Sequence, residues 1–134
     1  MKSYSLCVVG AGQWGQNHIR TLQKLELLGG VVDASQVALD NVKKIYPSCS
    51  TFSNLDDTFK YNFDAYIVAT PPITHYALAK KIINEKKHLL VEKPLTLSLR
   101  DAIDINSMAK ENNVNLMVGH LLLFHPAFIK IKQM

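Results

Sequence analysis

Leu6-Cys7-Val8-Val9-Gly10-Ala11-Gly12-Gln13-Trp14-Gly15 is the stretch on which the fold turns. A four-residue apolar run passes without a linker into a Gly-x-Gly-x-x-Gly turn, and an amphipathic segment follows at once. That context, strand before and helix after, separates a phosphate-cradling turn from a chance spacing of glycines. Gly10 allows the tight turn, Gly12 lets a pyrophosphate come close to the backbone, and Gly15 lets helix and strand pack together. The helix that opens here offers free N–H groups and the positive end of its dipole. Gln13 and Trp14 lie inside the same turn. Trp14 either shields the phosphates or packs against a neighbouring loop.

Outward from this unit the pattern repeats. Short apolar runs at Leu6 to Val9, Val31-Val32, Ala65 to Val68, Leu89 to Val91 and Leu116 to Val118 read as strands, with a weaker one near Cys49 to Phe52. Amphipathic segments at Trp14 to Leu28, Ser35 to Tyr46, Thr74 to Lys87 and Ser98 to Asn112 read as helices. Runs too apolar to alternate, joined by helices, belong to parallel strands buried on both faces. The expected fold is therefore α/β, a Rossmann-like doubly wound parallel sheet in three αβα layers. Ser98 and Asp101 form a capping-box-like start for the fourth helix. Asn54 to Lys60 has room only for a short helix or turn.

The chain has 134 residues, 48% hydrophobic and 19% charged, with a formal charge of +4. Those values describe an ordinary packed domain and exclude a disordered or collagen-like chain. Thirteen of the fifteen basic residues are lysines, many paired on presumed helix surfaces, so no nucleic-acid partner is expected. Two cysteines are too few for a disulfide framework, and Cys7 sits in an apolar strand, which fits a reducing cytoplasm. No apolar run reaches the length of a signal-peptide core or a membrane span, so neither export nor membrane insertion is expected.

Asp33 closes the second strand, eighteen residues after Gly15, where an acid accepts hydrogen bonds from adenosine ribose hydroxyls and repels a 2′-phosphate. Ala34, Ser35 and Gln36 supply no cation for that phosphate, so NAD is favoured over NADP. Thr70-Pro71-Pro72, Glu92-Lys93-Pro94 and Gly119-His120 follow the fourth, fifth and sixth strands. Carboxyl ends of parallel strands share one crevice, so these residues should converge with the glycine turn and Asp33. His75 is read as either a local cap or a cofactor-site residue, His120 as a contact to substrate or nicotinamide, and His18 chiefly as a packing residue. His125 is a weaker site candidate and His88 a strand-entry residue. No metal-ligand spacing is present.

At Gly10-Ala11-Gly12-Gln13-Trp14-Gly15-Gln16-Asn17-His18, Ala69-Thr70-Pro71-Pro72-Ile73-Thr74-His75, Glu92-Lys93-Pro94 and Val118-Gly119-His120 leading to Phe124-His125-Pro126, the chain resembles a known family. It is the glucose-fructose oxidoreductase, inositol dehydrogenase and rhizopine catabolism (Gfo/Idh/MocA) family. The resemblance implies hydride transfer between a nicotinamide cofactor and a sugar, polyol or sugar-nucleotide hydroxyl. It implies that Lys93 reaches the substrate hydroxyl, that Glu92 lies near the nicotinamide ribose, and that the peptide before Pro94 is cis. An amine handles protons near neutrality only if desolvation or nearby positive charge favours its neutral form.

The family pattern continues into a C-terminal α/β domain with most of the substrate pocket, a further histidine and a homo-oligomer interface. On this reading residues 1–122 form the dinucleotide-binding domain and 123–134 the start of a truncated linker or second domain, and the chain alone is inactive. Leu123, where many members carry Arg, resembles the branch acting on sugar nucleotides and amino sugars. The competing reading is a stand-alone NAD-binding or interaction module without turnover.

Overall fold

The computed structural model describes residues 4–134. Six strands, β1 (Leu6–Val9), β2 (Leu28–Val32), β3 (Ser50–Phe52), β4 (Ala65–Val68), β5 (His88–Val91) and β6 (Leu116–Val118), form one sheet in the order β3-β2-β1-β4-β5-β6. Every pairing is parallel. Five α-helices accompany them: α1 (Gln13–Lys24), α2 (Gln36–Ile45), α3 (His75–Asn84), α4 (Leu99–Glu111) and α5 (Pro126–Gln133). The strand order reverses between β1 and β4, the switch point at which such sheets open a crevice at their carboxyl edge.

The two faces carry separate cores, as a doubly wound sheet requires. On one face Val8, Val31 and Ile67 pack with Ile19 and Leu22 of α1 and Leu39 and Val42 of α2. On the other Cys7, Val9, Tyr66 and Val68 pack with Ala79, Ile82 and Ile83 of α3 and Ile105 and Ala109 of α4. Alternate residues of β1 thus serve opposite cores, so neither face of a central strand tolerates a charge. Tyr66 is fully buried and its hydroxyl reaches Thr58 Oγ1 at 3.0 Å, while burial pushes its ionisation up to about 12.

Helix ends explain where sequence and structure part. The apolar pattern of the first helix runs to Leu28, yet α1 stops at Lys24. Glu26 takes φ 58° and Leu27 N–H returns to the Leu22 carbonyl, so Leu27 and Leu28 leave the helix and Leu28 pairs with Leu6. β2 therefore begins before Val31 and includes Gly30, over which the Phe63 ring lies so close that a Cβ would come within 2.7 Å of it. The third helix is likewise shorter than its pattern, ending at Asn84 with Lys86 at φ 54°. Ser98 caps α4 by accepting from Asp101 N–H at 3.1 Å, and Asp56–Thr58 forms the short turn after β3.

Candidate dinucleotide and substrate site

The glycine turn is built by steric necessity. Gly10 has φ +100°, and a Cβ there would lie 2.7 Å from the Ala69 carbonyl oxygen. A Cβ on Gly15 would lie 1.8 Å from the Gly10 carbonyl oxygen, so α1 rests directly on the turn. Gly12 differs: a Cβ there would meet nothing within 4 Å. Its bareness serves nothing inside the chain and leaves the N-terminus of α1 open from outside. Gly12 is also the N-cap of α1, with no side-chain cap and no acidic residue in the first turn, so an anion is the natural complement.

Asp33 braces this turn. Its Oδ2 accepts from Ala11 N–H at 2.7 Å and its Oδ1 from Ser35 N–H at 2.8 Å. Each carboxylate oxygen keeps further acceptor capacity. Asp33, Gly10, Gly12, Thr70 and Pro71 line one cleft of about 430 Å³ at the carboxyl ends of β1, β2 and β4.

A second, larger cavity of about 770 Å³ opens at the ends of β5 and β6. Trp14, Glu92, Lys93, Pro94, Gly119 and His120 line it together with Leu121, Leu122, Leu123 and Phe128. Lys93 and His120 are exposed to it, and Trp14 is 48% exposed. The Lys93–Pro94 peptide is cis.

Glu92 is buried, and His18 Nε2–H donates to its Oε1 at 2.7 Å. His18, read from sequence chiefly as packing, therefore supports the Glu92-Lys93-Pro94 loop. The signal was present only as a polar residue on the sheet-facing side of α1, with no hint of its partner 74 positions away.

His75 is 1% exposed. It sits behind the cavity walls, its Nδ1 2.8 Å from the Pro94 carbonyl and its Nε2 2.8 Å from the Thr70 carbonyl. It supports the site without lining it. Thr74 Oγ1 donates to the Pro71 carbonyl at 2.7 Å, closing the turn that carries Pro72. Pro72 and Gln13 are exposed and line neither cavity. His125 caps α5 by accepting from Ala127 N–H, and His88 accepts from Asn115 N–H at the far end of β5.

Neither thiol belongs to the site. Burial pushes Cys7 far above the ordinary thiol range and Cys49 up to about 11, so both stay protonated and inert at neutral pH. Among the described residues no group of three His, Cys, Asp or Glu could hold a metal ion. No helix among them is long and apolar enough to cross a membrane.

A family model described as "Oxidoreductase family, NAD-binding Rossmann fold" matches residues 5–120, which include both cavities' strand ends. The chain belongs to the Gfo/Idh/MocA family. It is 31% identical over 131 residues to the UDP-N-acetylglucosamine 3-dehydrogenase of Acidithiobacillus ferrooxidans, covering 94% of this chain and 40% of that protein. It is 33% identical over 135 residues to the scyllo-inositol 2-dehydrogenase (NAD(+)) of Bacillus subtilis, covering 94% of this chain and 38% of that one. Among solved structures, GenD2 from gentamicin A biosynthesis, in complex with NAD, superposes with a TM-score of 0.93 at 27% identity, over 99% of this chain and 39% of its own. The chain thus spans about 40% of the length of the relatives it matches. Membership makes this an NAD-binding Rossmann domain of an oxidoreductase family, and the bare Gly12 at the uncapped start of α1 fits a bound pyrophosphate.

Proposed function

We propose that the chain is the cofactor-holding part of a cytoplasmic NAD-dependent dehydrogenase acting on a hydroxyl of a sugar nucleotide or related amino sugar. The observation that carries this is the placing of an amine, Lys93, and an imidazole, His120, on one cavity at the same sheet edge as the glycine turn and Asp33. The α1 N-terminus and Gly12 hold the pyrophosphate, and Asp33 faces the adenosine ribose. NAD, when bound, supplies the hydride acceptor. Lys93 takes the proton of the substrate hydroxyl, His120 orients the substrate beside it, and Glu92 faces the nicotinamide ribose. The leaning to sugar nucleotides rests on Leu123 and on the likeness to a UDP-N-acetylglucosamine dehydrogenase; inositols are the alternative, from the likeness to an inositol dehydrogenase. Residues 123–134 begin the connection to a substrate-covering unit, whose seat is the exposed apolar side of the larger cavity.

Calorimetric titration of the chain with NAD and NADP tests the cofactor assignment. NAD should bind roughly tenfold or more tightly, since Asp33 opposes a 2′-phosphate without a cation nearby. Gly12→Val should weaken both dinucleotides without lowering the melting temperature, because a side chain there meets only the ligand. Equal or tighter NADP binding would overturn the role given to Asp33.

A further inference from the structure

Lys93 lies in the segment between β5 and α4, and its own side chain is exposed. Its two neighbours are held from opposite faces of the sheet. From the α1 face, His18 donates to the buried Glu92 carboxylate at 2.7 Å. From the α3 face, His75 holds the Pro94 carbonyl at 2.8 Å and ties it to the Thr70 carbonyl at the end of β4. The fit is close: a Cβ on Gly119, at the end of β6, would come within 2.9 Å of Glu92 Oε2. The Glu92 carboxylate therefore has a donor on one side and a bare backbone on the other.

We propose that His18 and His75 are positioning residues, a two-sided clamp that fixes the Glu92-Lys93-Pro94 loop and with it the nicotinamide end of the crevice. The inference rests on the cofactor reading above and goes beyond it in assigning roles to two residues that touch neither substrate nor cofactor. A buried carboxylate that loses its donor must either find water or move. Movement of Glu92 carries Lys93 with it, whereas the glycine turn and Asp33, braced by their own hydrogen bonds, stay put. The clamp thus acts on one end of the dinucleotide and not on the other.

That asymmetry provides the test. The chain is titrated with NADH and with ADP, which lacks both the nicotinamide and its ribose, by calorimetry. Energy transfer from Trp14, the single tryptophan, to the dihydronicotinamide is read in parallel. In His18→Ala the NADH affinity should fall roughly tenfold, the size expected for one charge-assisted hydrogen bond, while ADP stays within about twofold. Transfer from Trp14 at saturating NADH should change too. His18→Gln, which keeps an N–H donor, should recover most of the loss. Gly119→Ala reaches the same carboxylate from β6 with His18 intact, and carries the test should His18→Ala not fold. It should show the same selective loss of NADH. Equal losses on both probes, or no loss on NADH, in the variants that fold would overturn the clamp. A wild-type chain that binds neither probe would instead overturn the cofactor reading itself, and this inference with it.

Discussion

The two cavities at the carboxyl edge of the sheet are finished to different degrees. The cleft over β1, β2 and β4 is closed by contacts within the chain: Asp33 pins Ala11 and Ser35, Gly15 seats α1 on Gly10, and Thr74 ties down Pro71. The cavity over β5 and β6 is lined partly by the Glu92-Lys93-Pro94 loop, bonded to His18 and His75, and partly by exposed apolar side chains. Leu121, Leu122, Leu123, Phe124 and Phe128 are 42 to 71% exposed. An edge that satisfies its polar groups in one cleft and leaves leucine and phenylalanine in water beside the other fits the reading proposed above, a dinucleotide held within the chain and a substrate covered by a further unit.

The largest expected effect lies at the incomplete end. In the full-length protein that carries this domain, Lys93→Ala should lower turnover by about 10²- to 10⁴-fold, the usual contribution of a positioned proton-transfer group. Steady-state kinetics at saturating NAD read it, and an unimpaired enzyme would take Lys93 out of the chemistry. The finished end should respond in stability instead. Gly15→Ala sets a methyl group against the Gly10 carbonyl, a backbone atom with nowhere to go, and should cost about 3 kcal/mol of unfolding free energy. Urea denaturation gives the number; a loss under about 1 kcal/mol would show that α1 is free to slide off the turn.

The same contrast governs how much was legible in the sequence. Gly10, Gly12 and Gly15 fall within six residues, so their spacing alone announces the turn and where an acid such as Asp33 should follow it, and the apolar runs between helices announce a parallel sheet though not the order of its strands. The expected positions of α2 and α4 held to within one residue at each end because Ser35 and Ser98 cap them locally. Where leucines serve helix and strand patterns alike, as at Leu25 to Leu28, periodicity misplaces the boundary, and only the strand pairing of Leu28 with Leu6 decides it. His18 and His75 were harder still. A histidine advertises neither tautomer nor partner, and theirs lie 74 and 19 residues away on loops that only the folded sheet brings near. His75 read as either a local cap or a cofactor-site residue for that reason, and its burial is a tertiary fact.

The smallest expected effect is at the exposed wall, and it tests whether that wall belongs to the fold of this chain. Phe128 on α5 is 42% exposed and, with Lys93, lines the larger cavity. Its ring belongs to neither of the two cores, and every residue of α5 and of the turn before it is exposed. A side chain left 42% exposed buries only part of its apolar surface on folding, so Phe128→Ser should cost the chain no more than about 1.5 kcal/mol of unfolding free energy. The same substitution removes a large apolar surface from water, so binding of a hydrophobic dye to the native chain should fall. A loss of about 3 kcal/mol or more, the cost of emptying a core phenylalanine site, would mean that α5 is packed as part of the domain and that the second wall is complete without any further unit.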